Sequence, residues 1–404
     1  MTPYDALIVG AGFSGLTLAE RLCTGRGWRC LVVEKRDHIG GNAADRFDAH
    51  GVLVHSYGPH YFRTNSARIR DYLSQFTAWH PVDYTILSFA AGRHWPFPVN
   101  LNTFEAYLGR SSTTAEMESW LESHRLPIEN PSNSEEVILS QVGREFYELF
   151  FRGYTRKQWR REPRDLDASV CGRIPLRTVR DNRYFNDTFQ ALPKDGYTRL
   201  FENMVRACGD RLEIRLRTAY RDVIPHTRFR RLVFTGPVDE FFDHRFGPLP
   251  YRSLRFEPES FTPEDLNRRP TPRDQSTFPV PLHHFQPAVQ VNYPGDEPFT
   301  RIVEVKHATG QVCENTTIVR EYPADFAPGS EPYYPIPAPD TAALYRRYEE
   351  LAGHVATHPR DILPESCGCE GISFIGRLAT YRYYNMDQVV GMALKEFEKL
   401  ASVP

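Results

Sequence analysis

The 404-residue sequence has neither a long apolar run nor a surplus of one charge. No uninterrupted apolar stretch approaches the roughly 18 residues of a spanning helix, so no membrane insertion is expected. Lys and Arg total 49 against 51 Asp and Glu, a formal net charge of −2. That balance argues against nucleic acid or an anionic membrane as the main partner. The seven cysteines are an odd number without a paired framework, and Cys367-Gly-Cys369 is too tight for a zinc knuckle. Reduced thiols in a cytoplasmic protein are expected, with no bound metal. Asp5 falls where a secretory leader would carry its apolar core, so none is read. A serine nucleophile elbow, a reactive-cysteine motif and internal repeats are also missing.

Glycine is concentrated instead. Ala6-Leu-Ile-Val9 runs into Gly10-Ala-Gly12-Phe-Ser-Gly15, and Leu31-Val-Val-Glu34 follows, continuing to His38-Ile-Gly-Gly-Asn42. A short apolar run reads as a buried parallel strand, and the glycines form a tight turn opening a helix. The first glycine allows the turn, the second admits a pyrophosphate, and the third lets helix and strand pack closely. The helix start offers N–H groups and a positive dipole end to phosphates. Glu34, 19 residues past Gly15, is placed to accept ribose hydroxyls. A dinucleotide is the expected ligand, and with a single such fingerprint, only one.

A turn-rich loop follows, Val54-His-Ser-Tyr-Gly-Pro-His60-Tyr61-Phe-Arg63-Thr64, unusually rich in histidine and aromatics for a connector. From about 100 to 160 the pattern is helical, with capping boxes read at Thr113–Glu116 and Ser132–Glu135. Ile138, Val142, Phe146, Leu149 and Phe150 share one helix face. Tyr154 and Trp159 stand in a basic segment, and Trp159 reads equally well as a loop anchor or a ligand-stacking group. The Pro-rich stretch from 257 to about 290 lacks periodicity and is expected to be a long loop. Near the end, Ser373–Gly376 reads as a strand, and Tyr381 to Asp387 opens a helix whose apolar face is Val390, Ala393, Leu394, Phe397 and Leu400.

With 13% aromatics and 21 tyrosines, the chain can stack bases and hydrogen-bond sugars. Arg173, Arg301 and Arg377, with tyrosines and Trp159, suit a second polyanion carrying an aromatic base, since arginine forks match phosphate oxygens. A dinucleotide plus a nucleotide-bearing substrate is the reading from the residues alone.

Nearly end to end, the chain resembles the bacterial UDP-galactopyranose mutases. The matching stretches are Gly10–Gly15, Arg36–Asn42, Tyr57–His60, Phe150–Trp159, Arg173–Phe185, Gly236-Pro237, Arg301, Tyr333–Pro335 and Gly376–Asp387. The resemblance implies a mixed α/β fold: a Rossmann-like FAD-binding domain, an inserted helical domain and an antiparallel β-sheet domain. The boundaries expected are 1–85 for FAD binding, rejoined by 195–240 and 365–404, then 100–170 for the helices, and 171–194 with 241–364 for the sheet. It implies a pyranose/furanose mutase acting on UDP-galactose to give the galactofuranose form. N5 of reduced FAD is the nucleophile at the anomeric carbon, UDP is the leaving group, and there is no net redox. An external reductant such as NAD(P)H and a homodimer are implied too.

By position the resemblance makes Arg173 and Arg301 the diphosphate clamp, joined by Tyr184, Tyr334 and Tyr383. Phe150, Tyr154, Thr155, Trp159 and Asn292 become uridine and sugar contacts, with Trp159 on a mobile lid. Gly10, Gly12, Phe13, Ser14, Gly15, Glu34, Lys35, Gly41, Asn42, His60, Tyr61, Arg377, Tyr384, Met386 and Asp387 fall at FAD positions, His60 close to the flavin. Three positions depart from the family pattern. Arg63 stands where a histidine is usual, Asn385 where an aspartate is expected, and Tyr84 roughly where an asparagine meets the sugar. These changes suit another UDP-sugar as well, such as UDP-N-acetylgalactosamine or a deoxy sugar. Two other readings stand beside it, an amine-oxidase-like FAD oxidoreductase and a non-catalytic nucleotide-sugar binder, but neither accounts for the paired arginines.

Overall fold

The computed structural model describes residues 3–269, 278–327, 329–336 and 338–402. The opening folds as a strand β1 (Tyr4–Val9), a helix α1 (Phe13–Arg26) and a strand β2 (Cys30–Val33). These strands lie in a five-stranded parallel sheet ordered Leu212–Arg215, β2, β1, Phe229–Phe234, Gly371–Phe374. Alternation along β1 feeds two cores. Ala6 and Ile8 pack with Leu16, Leu22 and Val390, whereas Leu7 packs with Leu31, Leu232 and Tyr348. A sheet covered on both faces needs apolar residues at nearly every position, which is why β1 and β2 carry no polar alternation, whereas the edge strand Leu212–Arg215 does. Within the first core, Tyr197–Cys208 and the C-terminal Met386–Ala401 pack against α1.

A second sheet of seven strands is ordered Tyr334–Pro335, Tyr251–Phe261, Thr316–Asp325, Arg301–Val303, Gln290–Asn292, Ile86–Ala90, Arg93–Phe97. Its pairings are antiparallel except between Gln290–Asn292 and Ile86–Ala90. Between Leu101 and Gly172 lie the helices Leu101–Leu108, Thr114–His124, Ser134–Phe146, Gly153–Trp159 and Ala168–Gly172. A small sheet joins Phe62–Thr64, Phe189–Pro193 and Trp79–Pro81. Among the described residues no helix is long and apolar enough to cross a membrane.

Several sequence expectations need correction. The stretch from 257 is not wholly loop: Tyr251–Phe261 is a strand and Pro263–Arg268 a helix, while 270–277 lies outside the described residues. Pro258 is tolerated because, beyond Arg252, its strand has no described partner on the outer side. At the second expected capping box only the cap forms, one residue later than read, without the reciprocal bond to the cap's own N–H. Asn133 is the cap, accepting from Glu136 N at 3.0 Å, while the Glu136 carboxylate accepts from Ser132 N at 2.7 Å. The helix holding Ile138 and Val142 kinks at Gly143 (φ 76°, ψ 179°) and passes into a π-helical turn at Tyr147–Arg152. The C-terminal strand is Gly371–Phe374 rather than 373–376. Its helix starts at Met386, because Asn385 before it is the extended N-cap (φ −79°, ψ 170°). The antiparallel sheet also recruits 86–97, which the expected boundaries left unassigned.

The β1–α1 turn depends on close backbone approach. Gly10 has φ 102°, and a Cβ on Gly15 would lie 2.0 Å from the Gly10 carbonyl oxygen. Gly15→Ala therefore forces helix and turn apart, at a cost of about 1–3 kcal/mol of overpacking strain. A urea denaturation midpoint equal to wild type would show that the turn yields freely.

Candidate active site

One cleft runs over the carboxyl end of the parallel sheet, lined by Gly10, Gly12, Phe13, Ser14, Glu34, Lys35, Gly41, Asn42 and, from the C-terminal end, Arg377, Tyr384 and Met386. Gly12 is the N-cap of α1 and makes no side-chain hydrogen bond, so the first turn presents its N–H groups to the cleft. Glu34 is buried and bridges the turn, accepting from Ala11 N at 2.9 Å and Arg36 N at 3.0 Å. Arg36 binds Asn42 Oδ1 and Glu331 Oε2, both at 2.8 Å, and lies over Tyr57. A Cβ on Gly41 would meet Gly12 Cα at 3.0 Å, so a narrow glycine cradle faces the helix start. This cradle, the uncapped helix and the acid at the end of β2 fit a dinucleotide. Lys35, at 3.5 Å from Glu331, lies on the rim.

A second cleft lies against the seven-stranded sheet, lined by Arg63, Tyr84, Tyr154, Thr155, Trp159, Arg173, Tyr184, Asn292, Arg301, Tyr334 and Tyr383. The two clefts share His60, Arg377, Asn385 and Met386. Arg301 faces Glu321 across paired strands, with Nε at 2.9 Å and a terminal nitrogen at 2.6 Å from Oε2. Burial opposes that charge, yet Glu321 holds the guanidinium well above its ordinary value. Arg173 lies 4.3 Å over the Tyr383 ring. Burial would raise the Tyr383 phenol, but Arg173 and then Arg377 hold it below its usual value. Arg377 is pinned by the Tyr384 carbonyl at 2.5 Å and the Tyr333 carbonyl at 3.3 Å. Arg63 pairs with Asp187 at 2.5 Å and lies 4.0 Å over Phe185. Trp159, which the sequence made hard to bury, is only 5% exposed and lies near Tyr334 and Tyr383.

Four expected residues lie elsewhere. Tyr61 packs its ring, tilted by 34°, against that of Tyr84 at 4.0 Å between centroids and lines the second cleft, not the first. Phe150 is packed among Trp95, Phe97 and Phe146, behind the cleft wall. Gly15 is consumed by packing on Gly10. Asp387 lines neither cleft, and burial pushes its carboxyl up against a hydrogen bond from Thr64. Sequence reading missed Glu321, Gln290 and Glu331. Gln290 accepts from the Tyr84 hydroxyl and, at 3.4 Å, from Arg301. Nothing local marks them: Glu321 and Gln290 lie in strands that carry other polar residues, Glu331 lies outside the strands, and their partners come from other segments. Among the described residues, His284, Glu304 and His307 have the donor set for a metal ion. Glu304 is already engaged by Phe285 N, Gln286 N, the Thr316 hydroxyl and His307, so the group is complete without one.

His60 sits at the junction with its ring Nδ1 donating to the Gly58 carbonyl at 2.9 Å, while its backbone N–H donates to His55 Nδ1 at 3.0 Å. Burial pushes His55 down to about 4. Burial, then His55, pushes His60 down to about 3. Both rings are neutral at ordinary pH. The unfolded chain protonates them near pH ~6.5, before the folded one does, so stability is full above that pH and drains as pH falls toward 4. His55→Asn is expected to flatten this acid slope in urea titrations between pH 6.5 and 4. An unchanged slope would remove His55 from it.

Comparison with known proteins follows the same lines. The sequence profile of UDP-galactopyranose mutase matches residues 149–383, and that of an NAD(P)-binding Rossmann-like domain matches 8–76. A probable UDP-galactopyranose mutase of Klebsiella pneumoniae is 33% identical over 100% of this chain and 96% of its own. A dTDP-fucopyranose mutase of Escherichia coli is 32% identical over 96% of each. In fold, the crystal structure of a reduced UDP-galactopyranose mutase superposes with a TM-score of 0.72 at 17% identity, covering 100% of this chain and 95% of that one. An end-to-end match at this identity, with the profile spanning most of the second cleft, makes this enzyme a member of the UDP-galactopyranose mutase family.

Proposed function

We propose that the protein is a flavin-dependent pyranose/furanose mutase of nucleoside-diphosphate sugars, with UDP-galactose as the first substrate to test. The observation that carries this reading is the meeting of a dinucleotide cleft with an arginine-lined cleft at His60, Arg377 and Asn385. When bound, reduced FAD supplies the nucleophile that the chain lacks, and it is returned unchanged, without net redox. The chain binds, orients and neutralises. Arg173 and Arg301 take the diphosphate, whose charge grows as it leaves the anomeric carbon. The Tyr184, Tyr334 and Tyr383 hydroxyls supply further donors, and Tyr383, held below its usual value by two arginines while burial raises the other two, is the most acidic of the three. Thr155, Trp159 and Asn292 face the nucleoside and close the cleft against water. Neutral His60 offers Nε2 as an acceptor at the junction and adds no charge to a site already rich in cations. The reading includes a cytoplasmic homodimer drawing electrons from an external donor such as NAD(P)H.

A second reading changes the sugar, not the chemistry. One relative is named a dTDP-fucopyranose mutase, and Arg63 with its Asp187 partner puts an ion pair beside the pocket. An N-acetyl or deoxy sugar is then the preferred substrate. Chromatography of dithionite-reduced enzyme with UDP-galactose, UDP-N-acetylgalactosamine and dTDP-fucose decides between them. No furanose product from any of the three sinks the mutase reading.

Arg301→Ala would strand the buried Glu321 carboxylate as well as remove the clamp. Arg301→Lys keeps the cation and loses the fork. It is expected to stay folded and yellow while kcat/KM falls about 10²–10³-fold, the usual effect of removing one oriented donor from a developing anion. Near-wild-type turnover would refute the role. Arg63→His should shift relative kcat/KM toward UDP-galactose by about tenfold, the worth of one lost charge-assisted hydrogen bond. Unmoved ratios across the three sugars would exclude Arg63 as a determinant.

A further inference from the structure

The helix Gly153–Trp159 carries Tyr154, Thr155 and Trp159 into the second cleft. It is bounded by irregular backbone, the π-helical turn Tyr147–Arg152 before it and Arg160 at φ 53° after it. Such irregularities recur at functional sites. Two contacts seat this helix on the hairpin that links Gln290–Asn292 to Arg301–Val303. Gly153 approaches so closely that a Cβ would lie 2.1 Å from the Pro294 carbonyl oxygen. Lys157 Nζ donates to the carbonyls of Glu297 at 2.9 Å and Phe299 at 3.1 Å. The other cations of the segment face away: Arg152 pairs with Glu148 and Glu162, and Arg156 with Glu162.

We propose that Lys157 is a positioning residue that latches the helix bearing Thr155 and Trp159 onto the hairpin bearing Asn292 and Arg301, so that both walls of the cleft close on a nucleoside diphosphate as one unit. The chemistry suits a lysine. A compact ammonium with rotatable donors can satisfy two carbonyls at a hairpin tip, which a planar carboxylate-matching fork does less well. Burial lowers the ammonium to about 8, against the pull of Glu297 and then Asp296, so it stays mostly charged at neutral pH. The hairpin is itself closed by Tyr293 N to the Thr300 carbonyl at 2.9 Å, and Arg301 is the next residue. A shift of the hairpin at Phe299 is thus passed to the diphosphate clamp two residues later. The latch rests on the proposed function only for the identity of its ligand.

The test uses flavin-loaded protein, with UDP as the probe. In Lys157→Met, amides of residues 153–160 should exchange with deuterium at least about tenfold faster, and UDP should bind about tenfold more weakly, the loss of hydrogen bonds to a charged group. Flavin absorbance should not change, and any loss in kcat/KM should fall on KM. Lys157→Arg, which reaches the same carbonyls with a poorer fit, should bind UDP more tightly than Lys157→Met and more weakly than wild type. UDP affinity within twofold of wild type in Lys157→Met overturns the proposal, whether or not exchange accelerates. Lys157→Arg binding no better than Lys157→Met also overturns it. If Lys157→Met does not load flavin, Lys157→Gln is read against the same criteria. Wild type that binds UDP but converts no nucleotide sugar defeats the mutase reading alone, because exchange and UDP affinity still judge the latch.

Discussion

Besides Arg63, which pairs with Asp187, three guanidinium groups, those of Arg173, Arg301 and Arg377, converge on one cleft, and a buried cation without a partner costs several kcal/mol. The fold meets this constraint in three ways. Arg301 has a carboxylate, Glu321, directly opposite on the neighbouring strand. Arg173 lies on the face of Tyr383, where the ring quadrupole offsets part of the charge. Arg377 is held by the carbonyls of Tyr333 and Tyr384. Only one of the three has a full counter-charge, so the cleft stays cationic and ready for an anion. Glu321 Oε1 itself has no hydrogen-bond partner among the described residues, which leaves the pair's remaining polarity facing inward.

The architecture follows from keeping that cationic cleft beside, but distinct from, the dinucleotide cleft. The parallel sheet offers helix N–H groups and the Glu34 carboxylate at its carboxyl end. The antiparallel sheet offers cross-strand pairs, whose register sets Arg301 against Glu321 and Asn292 against Arg301. The Tyr57–Thr64 loop and the start of the C-terminal helix span the gap. A neutral His60 at the meeting point is the consequence of desolvation beside the buried His55, with Arg377 and Arg301 nearby. A protonated ring there would add a further cation to a site whose guanidinium groups already outnumber its carboxylates.

The legible parts of the sequence were those with local causes. A tight turn needs glycine where backbones touch, and a doubly covered strand needs continuous apolar residues; both Gly10–Gly15 and Ala6–Val9 show this directly. The strand at Tyr251–Phe261 was hidden because its proline and charges look like loop composition, and only its edge position makes them acceptable. Phe150 and Tyr61 were misplaced for another reason. Aromatic residues a few positions from a site share its motif without sharing its surface, and the side-chain direction comes from the packing around them.

By itself, then, the sequence determined the dinucleotide turn, the family likeness and the supply of arginines and tyrosines, because each is written in contiguous residues. Tertiary structure alone decided how those groups are used. Glu321 meets Arg301 from 20 residues away, Asp187 meets Arg63 from 124, and Lys157 reaches Glu297 from 140. Electrostatic pairing depends on distance in space, and strand register and helix seating, not residue spacing, bring these charges together.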